Sequence, residues 1–181
     1  DIVVTEAGFG SDMGAEKFMH IKAANSGKPP DCVVMNVTIR SMKLHGGAFG
    51  SRGGYRPTKE ELEKEDIEAV LRGAQGNLDR HIKNMAGFGM PVIVSINRFY
   101  SDTDAELDAL KMAAQKSGAS HVALTEVHAH GGKGGEELAK AVVAAVHDHV
   151  AKGRPFTPLF TAETPILDKM NAIATRIYKA E

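Results

Sequence analysis

Short apolar segments alternate with amphipathic segments along this chain of 181 residues. The apolar segments have the length of strands, and most lack polar alternation; they cover residues 2–5, 32–38, 92–97 and 121–125. Between them, apolar residues recur at intervals of three, four and seven, as on one face of a helix. This order is typical of β/α units whose parallel sheet is covered by helices on both faces. The sequence therefore predicts one doubly wound, mostly parallel α/β domain over residues 1–181.

Capping chemistry predicts where several helices begin. A Thr followed three residues later by Glu has the spacing of a capping box, in which each side chain bonds the other's backbone N–H. Thr58 with Glu61 and Thr103 with Glu106 have this spacing. Thr164 before Pro165 predicts a cap followed by a proline in the first helical position. The glycine-rich segment 46–57 has no periodicity and is predicted to be an exposed loop.

Composition excludes several classes of protein. The 22 Lys and Arg residues nearly balance 23 Asp and Glu residues, so no broad basic field is available for nucleic acid. No apolar run is long enough to cross a bilayer. The single cysteine, Cys32, excludes a disulfide scaffold, fits a reducing cytoplasm and is predicted to be a core residue. The chain starts directly on a strand-like run and stops on a helical pattern, so we expect a fragment of a longer protein.

Ligands of open α/β sheets bind beyond the carboxyl ends of the strands, so the segments after the strands are the candidate sites. The first carries Glu6 and the glycines Gly8 and Gly10, which let a backbone approach an anion closely. Glu6 is a candidate oxygen ligand for Mg²⁺. The alternative is a turn that merely needs glycine, with Glu6 solvated. A Walker A motif, G-x-x-x-x-G-K-[ST], is absent from the sequence.

The second segment concentrates cationic groups. Arg40, Lys43 and His45 suit a phosphate or a carboxylate, and an arginine can bind either with two hydrogen bonds. A solvated basic turn is the competing interpretation. Asn97, after the third strand, either reads the edge of a purine or satisfies loop backbone.

Histidine pairs raise the question of a metal. His128 and His130 follow the fourth strand, but no third ligand lies near them in sequence, and zinc normally takes three or four. His147 and His149 are two helical positions apart, so they diverge, and both are predicted to lie on the surface.

Read in order, these segments resemble the signatures of the formate–tetrahydrofolate ligase family. The resemblance is carried by V-V-T-E-A-G-F-G-S-D-M-G-A-E-K-F at 3–18 and by V-T-I-R-S-M-K-L-H-G-G at 37–47. Further matches, in family order, lie at 76–82, 96–99, 102–107, 131–135 and 173–178. Members of this family are much longer and have a P-loop N-terminal to this region.

The resemblance implies an activity and its ligands. The family joins formate to tetrahydrofolate through formyl phosphate, giving 10-formyltetrahydrofolate, ADP and phosphate from ATP with Mg²⁺. It implies a P-loop-NTPase-like core without its Walker A segment, further segments of a parent ligase as partners and homo-oligomers of the full-length protein. This fragment alone is expected to be inactive.

The resemblance also implies roles for individual residues. Glu6 would assist the metal, and the backbone at Gly8 and Gly10 would face phosphates. Arg40, Lys43 and His45 would stabilise formyl phosphate or the phosphate it releases. The glycines Gly131, Gly132 and Gly134, with Asn97, would lie near nucleotide or folate.

Two other interpretations remain open at this point. One is a self-standing module that binds a nucleotide or an anion without catalysis. The other is a small dethiobiotin-synthetase-like enzyme, which the missing Walker A motif disfavours.

Overall fold

Three parallel strands form the sheet in the part of the chain that the structure describes, residues 2–48 and 57–181. The structure is a computed structural model. The strands, in spatial order, are β1 (Val33–Val37), β2 (Val92–Asn97) and β3 (His121–Thr125). Helices connect them, which confirms the α/β class. The predicted segments 92–97 and 121–125 coincide with β2 and β3.

Helices make up most of the remaining described residues, and none of them is both long and apolar enough to span a membrane. The α-helices are α1 (Ala24–Ser26), α2 (Ile39–His45), α3 (Lys59–Glu63), α4 (Ile67–Gly73), α5 (Asp79–Ala86), α6 (Asp104–Lys116), α7 (Val127–His130), α8 (Glu136–Ala151) and α9 (Ile166–Ala172). Wider π-helical turns lie at Gly10–Ala15, Phe18–Ala23, Ala74–Leu78 and Ile173–Ile177, and a 3-10 turn lies at Gly131–Gly135.

The core lies on one face of the sheet. Alternate residues of the strands, such as Val37, Val94 and Val122, pack there against α5 and α6 side chains such as Ile82 and Leu110. On the other face, α8 packs against β2 and β3. The expectation of strands covered on both faces is met by β2, whose residues 92–96 are all buried. It is wrong for β1, because Val34 is 46% exposed there.

The segment 2–5 is not a strand, contrary to the prediction. Val3 and Val4 are 90% and 88% exposed. A strand needs a neighbour to pair its backbone N–H and C=O groups, and the sheet of the described residues ends at β1. This segment therefore has the apolar composition of a strand but no partner strand among the described residues.

The two predicted capping boxes are confirmed, at Thr58 and at Thr103. The predicted cap at Thr164 is wrong. Its hydroxyl accepts a hydrogen bond from the backbone of Thr161, and α9 begins after Pro165 without a side-chain cap. In the predicted loop 46–57, Gly46 and Gly47 follow the end of α2, whereas residues 49–56 lie outside the described residues.

Candidate functional site

Arg40 lies in the first turn of α2, directly beyond the carboxyl end of β1. The basic segment after β1 is helical and not a loop, because α2 begins at once after Thr38. The Thr38 side chain accepts from the Ser41 backbone at 3.0 Å, and the Ser41 hydroxyl accepts from the Thr38 backbone at 3.3 Å. This reciprocal cap fixes the first turn and with it the start of the Arg40 side chain.

The Arg40 guanidinium packs on the segment that follows β2. Its central carbon lies 4.3 Å from the centroid of the Phe99 ring, within the range of a cation–π interaction. A terminal nitrogen donates to the Ser101 hydroxyl at 3.4 Å. Among the described residues, its Nε is a buried donor without a hydrogen-bond acceptor. A buried donor without an acceptor lowers the stability of the fold by about 1–3 kcal/mol. A bound anion that accepts from Nε would remove this cost.

The segment that carries Phe99 is held by Asp102. The buried carboxylate accepts from the Phe99 backbone N–H at 2.8 Å and thereby closes the turn before α6. Burial raises the pKa of Asp102 above its usual range, while the Phe99 hydrogen bond opposes that shift. Asn97 ends β2 at the base of this turn, opposite Thr125 of β3, and is half-buried.

The glycine-rich segment after β3 lies beside this turn. Arg98 forms ion pairs with Asp104 at 3.1 Å and with Glu126 at 3.9 Å. The Glu126 backbone N–H donates to the carbonyl of Gly134 at 3.0 Å. A Cβ at Gly134 would lie 2.4 Å from the Glu126 carbonyl oxygen, so the close approach requires glycine. The sequence prediction that these segments meet at one edge is therefore realised for β2 and β3.

Gly131 and Gly132 lie in the exposed part of the same segment. A Cβ would meet nothing within 4 Å at either position, and Gly131 has a φ of 57°. Both residues follow α7, where His128 and His130 are exposed.

Lys43 is placed differently from its predicted companions. Its ammonium is buried and pairs with Glu106 at 2.7 Å, whereas Arg40 and His45 keep their side chains outside this ion pair. Lys43 therefore lies behind the surface that Arg40 and Phe99 form.

His45 belongs to a second polar group around the segment 8–14. The Ser11 hydroxyl forms a short hydrogen bond with Nδ1 of His81 on α5. Burial lowers the pKa of His81, the Asp12 carboxylate opposes that shift, and the nearby His45 adds to it. His45 thus lies within electrostatic range of His81, whose ring contacts the glycine-rich segment through Ser11.

The glycines of that segment approach each other closely. A Cβ at Gly14 would lie 1.6 Å from the Gly8 carbonyl oxygen, and Gly10 has a φ of 80°. Glu6 is exposed and lines a shallow cavity of about 280 Å³ together with Gly8, Lys17 and Lys22.

The described residues do not assemble a metal site from protein groups alone. In residues 2–48 and 57–181, no three His, Cys, Asp or Glu side chains are arranged to hold a metal ion. A single carboxylate such as Glu6 still fits Mg²⁺, because this ion usually takes one or two carboxylates and completes its shell with phosphates and water.

The structure also shows where Cys32 and the pair His147 and His149 lie. Cys32 lies just before β1 and is half-buried, and burial followed by the Asp31 charge raises its pKa to about 11. His147 is exposed, but His149 is buried, so the prediction that both lie on the surface is wrong for His149. This difference in burial agrees with the predicted divergence of the two side chains.

Sequence reasoning missed Phe99, Ser101 and His81 as members of the site. Their contacts to Arg40 and Ser11 span about sixty to seventy residues of sequence, so no local spacing indicates them. The one available signal was their position directly after a strand or within a motif of the resembled family.

Comparison with known proteins gives a consistent result. The family model described as formate–tetrahydrofolate ligase matches residues 1–181. The formate–tetrahydrofolate ligase of Desulforamulus reducens is 46% identical over 181 residues, which is 100% of this chain and 31% of that protein. Those of Hyphomonas neptunium and Staphylococcus aureus are each 45% identical and are matched by 99% and 98% of this chain, over 30% and 29% of their own lengths.

This chain thus spans about a third of the length of the curated relatives that it matches. The match includes every segment of the candidate site. On this evidence the chain belongs to the formate–tetrahydrofolate ligase family.

Proposed function

We propose that this chain is part of an ATP-dependent ligase that joins formate to tetrahydrofolate. Formate attacks the γ-phosphorus of ATP, giving formyl phosphate and ADP. A tetrahydrofolate nitrogen then attacks the formyl carbon, the C–O bond to phosphate breaks, and the nitrogen gives up its proton as phosphate leaves. The observation that carries the proposal is Arg40, whose buried Nε has no acceptor among the described residues, at the carboxyl edge of the sheet. A fixed guanidinium there is suited to the phosphoryl group of formyl phosphate.

The surroundings of Arg40 support this role. Stacking on Phe99 and the hydrogen bond to Ser101 fix the guanidinium plane before any anion binds. Phosphoryl transfer depends mainly on positioning and on neutralising charge, so a preorganised cation lowers the barrier without chemistry of its own. His45, at the other end of α2, is proposed to face the released phosphate.

The glycine-rich segments are proposed to hold the nucleotide and the folate. Gly8 and Gly10 would present backbone N–H groups to phosphates, while Asn97, Gly131, Gly132 and Gly134 would line the nucleotide or folate. Glu6 is proposed to bind Mg²⁺ directly or through water. Bound Mg²⁺ would neutralise charge on the ATP phosphates.

Segments beyond this chain are proposed to complete the enzyme. The sheet would be part of a P-loop-NTPase-like, doubly wound core, and a Walker A segment supplied by the rest of the ligase would cradle the triphosphate. We propose that the complete ligase is a homo-oligomer and that the 181-residue chain alone does not turn over substrate.

The test is synthesis of 10-formyltetrahydrofolate by a full-length ligase that contains this segment. Arg40→Met should reduce kcat/KM for formate by roughly 100-fold, the scale of losing one preorganised charge contact. Arg154→Met is the matched control, because Arg154 is exposed and pairs only with Asp31 among the described residues. Equal activity of the two variants would remove Arg40 from the reaction.

A parallel titration of Mg²⁺–ATP into the 181-residue chain examines the alternative of an independent binding module. The ligase proposal expects no saturable heat. Saturable binding that disappears in Glu6→Gln would favour the independent module instead.

A further inference from the structure

Lys43 and Glu106 form a fully enclosed ion pair between α2 and α6. The Lys43 Nζ lies 2.7 Å from Glu106 Oε1, and the two side chains are 2% and 0% exposed. Nζ also donates to the carbonyls of Lys64 at 2.8 Å and Leu62 at 3.4 Å. An ammonium has three donors. All three are therefore used within the protein, and none is left for a substrate anion.

The Glu106 carboxylate is equally committed. Its Oε1 also accepts from the Asp66 backbone at 2.8 Å, and its Oε2 accepts from the Thr103 backbone at 3.4 Å. The Glu106 backbone N–H donates in return to the Thr103 hydroxyl at 3.3 Å. One carboxylate thus fixes the start of α4, the start of α6 and the side chain of Lys43.

The two residues of this ion pair lie on the same two elements as the Arg40 contact, namely α2 and the segment that leads into α6. Lys43 lies one helical turn after Arg40 on α2. Glu106 closes the cap of α6, and the turn before that cap carries Phe99 and Ser101. A change in the distance between α2 and the α6 cap would therefore change the stacking of Arg40 on Phe99.

We propose that the Lys43–Glu106 ion pair positions Arg40 against Phe99 and Ser101, so that Lys43 and Glu106 are positioning residues for the anion contact. The effect on catalysis rests on the proposed function, whereas the effect on the position of Arg40 rests on geometry alone. Stability by itself does not require a buried ion pair, because two apolar or neutral groups of similar volume often replace one without loss.

The experiment separates positioning from stability through a paired substitution. Lys43→Met with Glu106→Gln removes both charges together, and the single amide oxygen of the glutamine can still accept from the backbone N–H of either Asp66 or Thr103. Substituting one partner alone would leave a buried charge unpaired and destabilise the fold. Asp79→Asn with Lys83→Met is the matched control, since that pair on α5 is 2.8 Å long but Lys83 is 60% exposed.

The main readout is the Arg40 Nε–H signal in nuclear magnetic resonance spectra of the 181-residue chain. We expect the paired variant to remain folded in the absence of urea, to lose the ring-current shift from Phe99 and to exchange this proton at least about tenfold faster. The control variant should keep the wild-type shift and exchange rate. A paired variant with an unchanged Arg40 signal overturns the proposal.

A second variant keeps the proposal testable if the paired variant does not fold. Glu106→Asp retains the charge and shortens the side chain by one methylene group, which draws the carboxylate away from Lys43. It should give an intermediate exchange rate for Arg40 Nε–H. An unchanged rate in this folded variant also overturns the proposal.

Turnover of the full-length ligase tests whether the position of Arg40 affects catalysis. The paired variant should lower kcat/KM for formate by roughly 10- to 100-fold, the range expected when a contact is misplaced by about 1 Å. It should cause no further loss when Arg40→Met is already present. If Arg40→Met alone leaves turnover unchanged, the proposed role of Arg40 in the reaction fails, while the Arg40 resonance still decides the positioning inference separately.

Discussion

The guanidinium of Arg40 lies 4.3 Å from the centre of the Phe99 ring and so joins the helix after β1 to the turn after β2. These two segments are far apart in sequence, and each begins where a strand of the sheet ends. The contact therefore brings a candidate anion-binding side chain and a candidate nucleotide-binding turn to the same edge.

Phe99→Leu should remove the cation–π contact with Arg40 while it keeps an apolar side chain at the turn. A partly desolvated cation–π pair contributes about 0.5–2 kcal/mol, so the coupling free energy between Arg40→Met and Phe99→Leu should fall in that range. Urea denaturation of the two single variants and the double variant measures it. Additive losses would show that the stacking carries no energy of its own.

Gly134→Ala should destabilise the chain, because the added Cβ would lie 2.4 Å from the carbonyl oxygen of Glu126. The segment after β3 must then move, and overpacking of this kind typically costs about 1–3 kcal/mol. Gly132→Ala is the matched control, since a Cβ there meets nothing within 4 Å. Equal urea midpoints for the two variants would contradict the close packing of this segment.

His81 should make the stability of the chain depend on pH. Burial holds the pKa of His81 below its ordinary value of 6.5, although the Asp12 carboxylate opposes this shift. The unfolded chain therefore takes up the proton first as the pH falls. The contribution of neutral His81 is fully present above pH 6.5 and is lost as the pH falls through that value towards the folded pKa.

His81→Gln isolates this contribution among the other titrating groups. The difference in unfolding free energy between wild type and His81→Gln should shrink between pH 7.5 and pH 5, because burial disfavours the protonated imidazole in the folded chain. Chemical denaturation at a series of pH values gives this difference. A difference that stays constant over that range would contradict the burial of a neutral His81.

Cys32 should react slowly with alkylating reagents. Its pKa is raised from 9.0 to about 11, so at neutral pH the folded chain contains roughly 100-fold less thiolate than the unfolded chain. Iodoacetamide should therefore modify the native chain at least 100-fold more slowly than the chain in concentrated urea. Similar rates in the two states would show that Cys32 is exposed and unshifted.

Local patterns in the sequence predicted the elements whose cause is local. The Thr58 and Thr103 caps depend on neighbours within three residues, and both are confirmed. The apolar runs of β2 and β3 are also confirmed as strands, because each run finds a partner strand in the sheet. The start of α2 was missed because the Thr38 cap uses Ser41 in place of the usual Glu or Gln, a weaker signature.

Long-range partners explain the remaining differences. The residues 2–5 have the composition of a strand but no neighbouring strand among the described residues, and composition does not reveal a missing neighbour. Lys43 is on the same short basic segment as Arg40, yet its charge is satisfied by Glu106, 63 positions later in sequence. A sequence pattern gives the charge of a side chain, whereas its availability depends on such distant contacts.

The most direct test of this account is a single turnover of phosphoryl transfer from ATP to formate, without tetrahydrofolate, in a full-length ligase that contains this segment. Arg40→Lys keeps the positive charge but loses the planar guanidinium that stacks on Phe99. We expect this variant to form formyl phosphate roughly 10- to 100-fold more slowly while its affinity for tetrahydrofolate is unchanged. Formation of formyl phosphate at the wild-type rate would contradict the assignment of Arg40 to the phosphoryl-transfer site.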